Sequence, residues 1–152
     1  MAADTERIAR LLRKRVVVLG AEVTDDLAMA VIAQLLFLQS EDGAAEIKLV
    51  IDSPGGLCTA SLLLAAGRAG RRVAVPHARI ALLPTRAASG AEGKESEIAR
   101  LNAEIRDALA RYTGRDVTVI GAAMERSLVL TAAEARQFGI IDRILAPGEG
   151  VW

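Results

Sequence analysis

Ile47-Lys48-Leu49-Val50-Ile51-Asp52-Ser53-Pro54-Gly55-Gly56 is the stretch on which the reading of this chain turns. Its first half is a short aliphatic run, the composition of a buried strand. Its second half is a Pro-Gly-Gly turn. Adjacent glycines allow backbone conformations that a side chain forbids, and they leave amide N–H groups pointing outward. Gly55 and Gly56 are therefore candidates for an oxyanion-binding turn, with donors aimed where negative charge develops during acyl transfer. Donors alone perform no acyl chemistry, so the turn raises the question of a nucleophile and a base. The chain of 152 residues has a single histidine, His77, and a single cysteine, Cys58.

Working outward, strands and helices alternate. Upstream, Ile8, Leu11 and Leu12 stand at helical spacing among arginines and predict an amphipathic helix over residues 5–14. Arg15-Val16-Val17-Val18-Leu19 predicts a strand stopped by Gly20. Thr24 is placed to cap a helix through Leu27, Val31, Ile32, Leu35, Leu36 and Leu38, apolar enough to be buried on more than one side. Downstream, small residues predict a helix near 58–69, closed by Gly67 and Gly70. Residues 72–75 and 79–83 read as two short strands around Pro76-His77, and 84–93 as a loop. A charged helix is expected from about Glu95 to Arg111 and a shorter one near 116–124, after Thr113-Gly114. Thr131-Ala132-Ala133-Glu134 is a capping box opening a helix over Ala133–Phe138, ended by Gly139 and followed by a strand over Ile140–Leu145. The alternation predicts an α/β layered protein, with residues 1–152 as a single domain.

Composition narrows the function. Hydrophobic residues make up 52% of the chain and aromatics only 3%, which predicts an aliphatic core. Nineteen basic residues balance nineteen acidic ones, so nothing favours a nucleic-acid partner. One cysteine forms no internal disulfide and suits a reducing, cytoplasmic location. The N-terminus has no apolar signal core and no run spans a bilayer, so no membrane partner is expected.

Ser61 is the hydroxyl nearest the glycine turn, and its plainer role is that of a small helix residue. Cys58 lies near a helix N-terminus, where a thiol pKa can fall, although a free cysteine is more commonly buried and inert. His77 has no second metal ligand nearby, so no metal site and no cofactor are expected. Arg68, Arg71 and Arg72 form a small basic cluster, read as a solvated helix end and strand edge. Ile98, Leu101, Ile105 and Leu109 form an apolar stripe that serves either the core or a neighbouring subunit.

Several separated motifs then make the order specific. They are Arg15-Val16-Val17-Val18-Leu19-Gly20, Ala33-Gln34-Leu35-Leu36-Phe37-Leu38 and Ile51-Asp52-Ser53-Pro54-Gly55-Gly56, followed by Tyr112-Thr113-Gly114, Thr131-Ala132-Ala133-Glu134-Ala135 and Phe138-Gly139-Ile140-Ile141-Asp142. Together they resemble the proteolytic subunit of the Clp protease, over nearly the whole chain. The resemblance implies the Clp-protease/crotonase-like spiral of β-β-α units. It also implies a protruding helix that intercalates between two rings, and a Ser-His-Asp triad within a chamber fed by an ATP-driven unfoldase.

The departures are as informative as the match. Thr59-Ala60-Ser61 runs directly into Leu62-Leu63-Leu64-Ala65-Ala66-Gly67, so one helix-plus-strand unit and the nucleophile elbow read as deleted. By the resemblance, the histidine position is Leu83 and the aspartate position is Ser127. The axial loop before the first helix reads as nearly absent, and the aromatic docking positions correspond to Lys48 and Val50, which weakens the case for an unfoldase partner. Glu125-Arg126 match the acidic-Arg pair that links opposing rings, so oligomer contacts are expected at Glu125, Arg126, Leu101 and Ile105.

The leading expectation is a catalytically inactive Clp-protease-like subunit with a structural or regulatory role, as a homo-oligomer or in a mixed ring with an active paralogue. One rival is a Clp-type serine peptidase acting through Ser61 or Cys58. The other is a crotonase-like thioester enzyme using the Gly55-Gly56 oxyanion turn.

Overall fold

The aliphatic runs on either side of the first long helix pair with each other. Val16–Leu19 (β1) lies parallel to Lys48–Ile51 (β2), in register from Val16 opposite Lys48 to Leu19 opposite Ile51. A computed structural model describes residues 2–21, 24–51, 59–86 and 93–149. The chain packs as two compact units, Met1–Gly56 and Leu57–Trp152.

In the first unit, α1 (Ala2–Arg13) leads into β1, and α2 (Asp25–Glu41) crosses over to β2. Thr24 caps α2 as expected, its hydroxyl accepting from the Leu27 N–H at 3.3 Å. Arg15 has the left-handed φ of 59°, and its guanidinium returns to the end of α2. There Nη2 donates to the carbonyls of Asp42 (2.8 Å) and Ala45 (3.1 Å), and Nε to Glu46 (3.2 Å). These carbonyls lie beyond the last helical turn, so a cation supplies donors that the helix does not. Val16, Val17, Leu19, Val31 and Leu38 are buried, whereas Met29, Ile32, Leu36 and Phe37 leave one side of α2 exposed.

The second unit opens with α3 (Thr59–Ala65), an uninterrupted helix that ends before Gly67. Val73–Ala74 (β3) pairs in parallel with Arg143–Ile144 (β6). Arg79–Leu82 (β4) pairs antiparallel with Leu128–Thr131 (β5), a strand that the pattern reading did not include. Between them lie α4 (Glu95–Thr113) and α5 (Val117–Glu125), and after β5 comes α6 (Ala132–Phe138). The capping box of α6 forms in both directions, Thr131 Oγ1 accepting from Glu134 N–H and the Glu134 carboxylate from Thr131 N–H.

Gly139 ends α6 with φ of 95°, and a Cβ there would lie 2.6 Å from the Thr113 carbonyl oxygen. Glycine is thus required twice at this position, for the left-handed turn and for the approach to the end of α4. Downstream, Ile140 and Ile141 enter the core rather than a strand, so the expected strand over 140–145 is confined to Arg143–Ile144. They join Leu82, Leu109, Ile120 and Leu130 in one aliphatic cluster. Observed elements make this an α/β protein.

Candidate functional site

Gly55, Gly56 and Cys58 lie outside the described residues. Ser61 is the third residue of α3 and only 4% exposed. A nucleophile must reach a substrate carbonyl with a base at hydrogen-bond distance, and a hydroxyl packed into the unit does not present itself in that way. His77 sits exposed in the turn between β3 and β4, which the Ala78 N–H closes on the Val75 carbonyl at 3.0 Å. Among the described residues no cluster of His, Cys, Asp and Glu could hold a metal ion.

Leu83 and Ser127, the positions that the resemblance assigns to base and acid, both adjoin one strand pairing. The β4–β5 ladder ends with Leu82 opposite Leu128. One residue further along each chain stand Leu83 and Ser127, so the two run on from the same last pair. Ser127 has φ of 50° and donates its N–H to Met124 O at 2.9 Å, making the turn from α5 into β5. Beyond Leu83, Asn102 of α4 pairs with Thr85 as a strand neighbour would. Its Oδ1 accepts from Thr85 N–H (2.7 Å) and its Nδ2 donates to Thr85 O (2.9 Å). A leucine carries no proton for transfer, and a serine hydroxyl carries no charge to stabilise an imidazolium.

The expected contact residues separate. Ile105 is 8% exposed and belongs to the unit's own core with Leu109, whereas Leu101 is 42% exposed. Of the two apolar candidates, Leu101 is the one left facing outward. Glu125 and Arg126 are both exposed, and Arg126 Nε donates back to the Ala122 carbonyl at 3.1 Å.

The basic cluster corrects the sequence reading. Arg72 is not a solvated residue: its side chain is 10% exposed and forms a two-pronged ion pair with Asp142. Nη2 lies 2.6 Å from Oδ1 and Nε 3.0 Å from Oδ2. Asp142 Oδ2 also accepts the backbone N–H groups of Gly70 (2.8 Å) and Arg72 (2.9 Å). The guanidinium, helped by these donors, outweighs burial and lowers the Asp142 pKa to about 2. No local pattern joins residues so far apart in sequence. The available signal was Asp142 following the Gly139-Ile140-Ile141 run, which closes the unit beside β3. Arg115 similarly serves α6, donating to the carbonyls of Gln137 and Phe138 while lying over the Phe138 ring.

The observed elements define an α/β protein. The Clp protease family model matches residues 2–62 and 57–148, and the chain belongs to the Clp protease family.

Proposed function

We propose that this chain is a Clp-protease-family subunit without Ser-His-Asp peptidase activity of its own, serving a structural or regulatory role in an oligomer, either of itself or mixed with an active paralogue. The observation that carries this reading is the pairing of β4 with β5, beside whose last pair stand Leu83 and Ser127, the positions that the resemblance gives to the imidazole and the carboxylate of the mechanism. Buried Ser61 adds support. The two family-matched segments overlap over residues 57–62, which supports a β-β-α spiral shortened by one helix-plus-strand unit after the glycine turn. On this reading residues 1–152 derive from one family domain.

The oligomeric habit of the family favours assembly, and Leu101 offers an exposed apolar side chain on α4 for it. Lys48 and Val50, at the positions identified with aromatic docking residues, argue against an ATP-driven unfoldase as partner. No helix among the described residues is long and apolar enough to cross a membrane, in keeping with the proposed cytoplasmic location.

The test combines hydrolysis of small peptide esters, labelling by fluorophosphonate and iodoacetamide probes, and native mass spectrometry. The expected result is no turnover above buffer, no stoichiometric fluorophosphonate adduct, and a mass above that of the monomer. Turnover abolished by Ser61→Ala or Cys58→Ala would overturn the inactive reading. A monomer at high micromolar concentration would overturn the oligomeric one.

A further inference from the structure

Three helix ends meet at one nitrogen. Arg72 Nη1 donates to the carbonyls of Ala65 at the end of α3 (3.2 Å), Tyr112 near the end of α4 (3.2 Å) and Gly139 just after α6 (2.9 Å). C-terminal helix carbonyls lack partners within the helix and carry partial negative charge. Beside them stands the Asp142 carboxylate, already engaged by the Gly70 and Arg72 amides. The stem of Arg72 is also seated: a Cβ on Gly67 would come within 3.0 Å of its Cγ. The acceptors are thus arranged around a flat cation with donors on two edges, a shape that guanidinium has and ammonium lacks.

We propose that the carbonyls of Ala65, Tyr112 and Gly139 and the carboxylate of Asp142 form a guanidinium-binding cage. In the native chain Arg72 fills it and ties the ends of α3, α4 and α6 to the β3–β6 pair. With the Arg72 side chain removed, the cage takes a free guanidinium ion from solution. The acceptors stay fixed by their own elements, Asp142 through its N–H to Arg72 O (2.8 Å) and Gly139 through its N–H to Ala135 O (3.1 Å).

The experiment uses the full chain carrying Arg72→Ala, with thermal unfolding followed in low-millimolar guanidinium chloride and in matched sodium and potassium chloride. A ligand that binds the folded state raises the midpoint with concentration. Arg72→Ala should melt well below wild type and gain several degrees from guanidinium, and not from sodium or potassium. Wild type and Arg143→Ala, which removes an exposed ion pair to Glu149, should gain nothing. Arg72→Lys should also melt below wild type and show no guanidinium gain, because its stem occupies the seat without the planar fork. An Arg72→Ala midpoint that guanidinium leaves unmoved or lowers would sink the proposal. So would equal rescue by potassium, an Arg72→Lys variant as stable as wild type, or an Arg72→Ala chain that stays unfolded in guanidinium as in the other salts.

Discussion

Met1–Gly56 and Leu57–Trp152 are both built from helices and short strands, yet they close differently. In the second, Leu82, Leu109, Ile120, Ile140 and Ile141 are all within 2% of complete burial. Its helix ends are satisfied by Arg72, Arg115 and the Thr131–Glu134 box. In the first, a two-stranded parallel pair is covered by helices, and α2 keeps Met29, Ile32, Leu36 and Phe37 exposed at 47–66%. A pair of strands is marginal without further packing, and exposed apolar faces of this kind mark interaction surfaces. The contrast teaches that the two parts of one chain differ in closure: the second unit supplies its own core, and the first leaves apolar side chains of α2 exposed.

The strongest way to break that comparison is to remove a core side chain from the second unit. Leu109→Ala should cost about 3 kcal/mol in urea unfolding, within the range for a fully buried leucine. A loss below about 1 kcal/mol would mean that the cluster around α4 is not what holds the unit together.

Acid should act next, through Asp142. Its pKa falls from 3.8 to about 2 on folding, so the unfolded chain binds the proton more readily in that interval. The stabilisation is fully present above pH ~4 and is lost as pH falls through the folded value, amounting to about 2 kcal/mol. Following stability between pH 5 and pH 2 in wild type and Asp142→Asn checks this. The variant should start lower and should lose less across the window. Parallel curves would remove the ion pair from the account of the second unit.

The smallest effect sharpens the other side of the comparison. Leu36→Gln on the exposed side of α2 should change monomer stability by no more than about 0.5 kcal/mol. Urea unfolding at high dilution measures this, and light scattering at higher concentration reads any change in assembled mass. A destabilisation as large as that of Leu109→Ala would show that α2 is packed more closely than its exposure indicates.

Element types were largely legible in the sequence because their signals are local. Apolar spacing placed α1, α2 and α4, and caps at Thr24 and Thr131 marked helix starts that the structure reproduces. Gly139 stopped α6 in the left-handed conformation its position demands. The identities of Leu83 and Ser127 were equally plain, since reading a residue type needs no coordinates. Tertiary structure decided the rest. Leu128–Thr131 is a strand because β4 lies beside it, and four residues ending on a helix cap carry too little pattern to announce that partner. Ile140 and Ile141 look like strand residues, but the approach of Gly139 to Thr113 directs them into the core. Arg72 reads as one more surface arginine until three helix ends and Asp142 surround it. Caps and periodicity are satisfied within a turn or two of chain. Strand register and buried ion pairs join distant segments, and packing alone determines which segments meet.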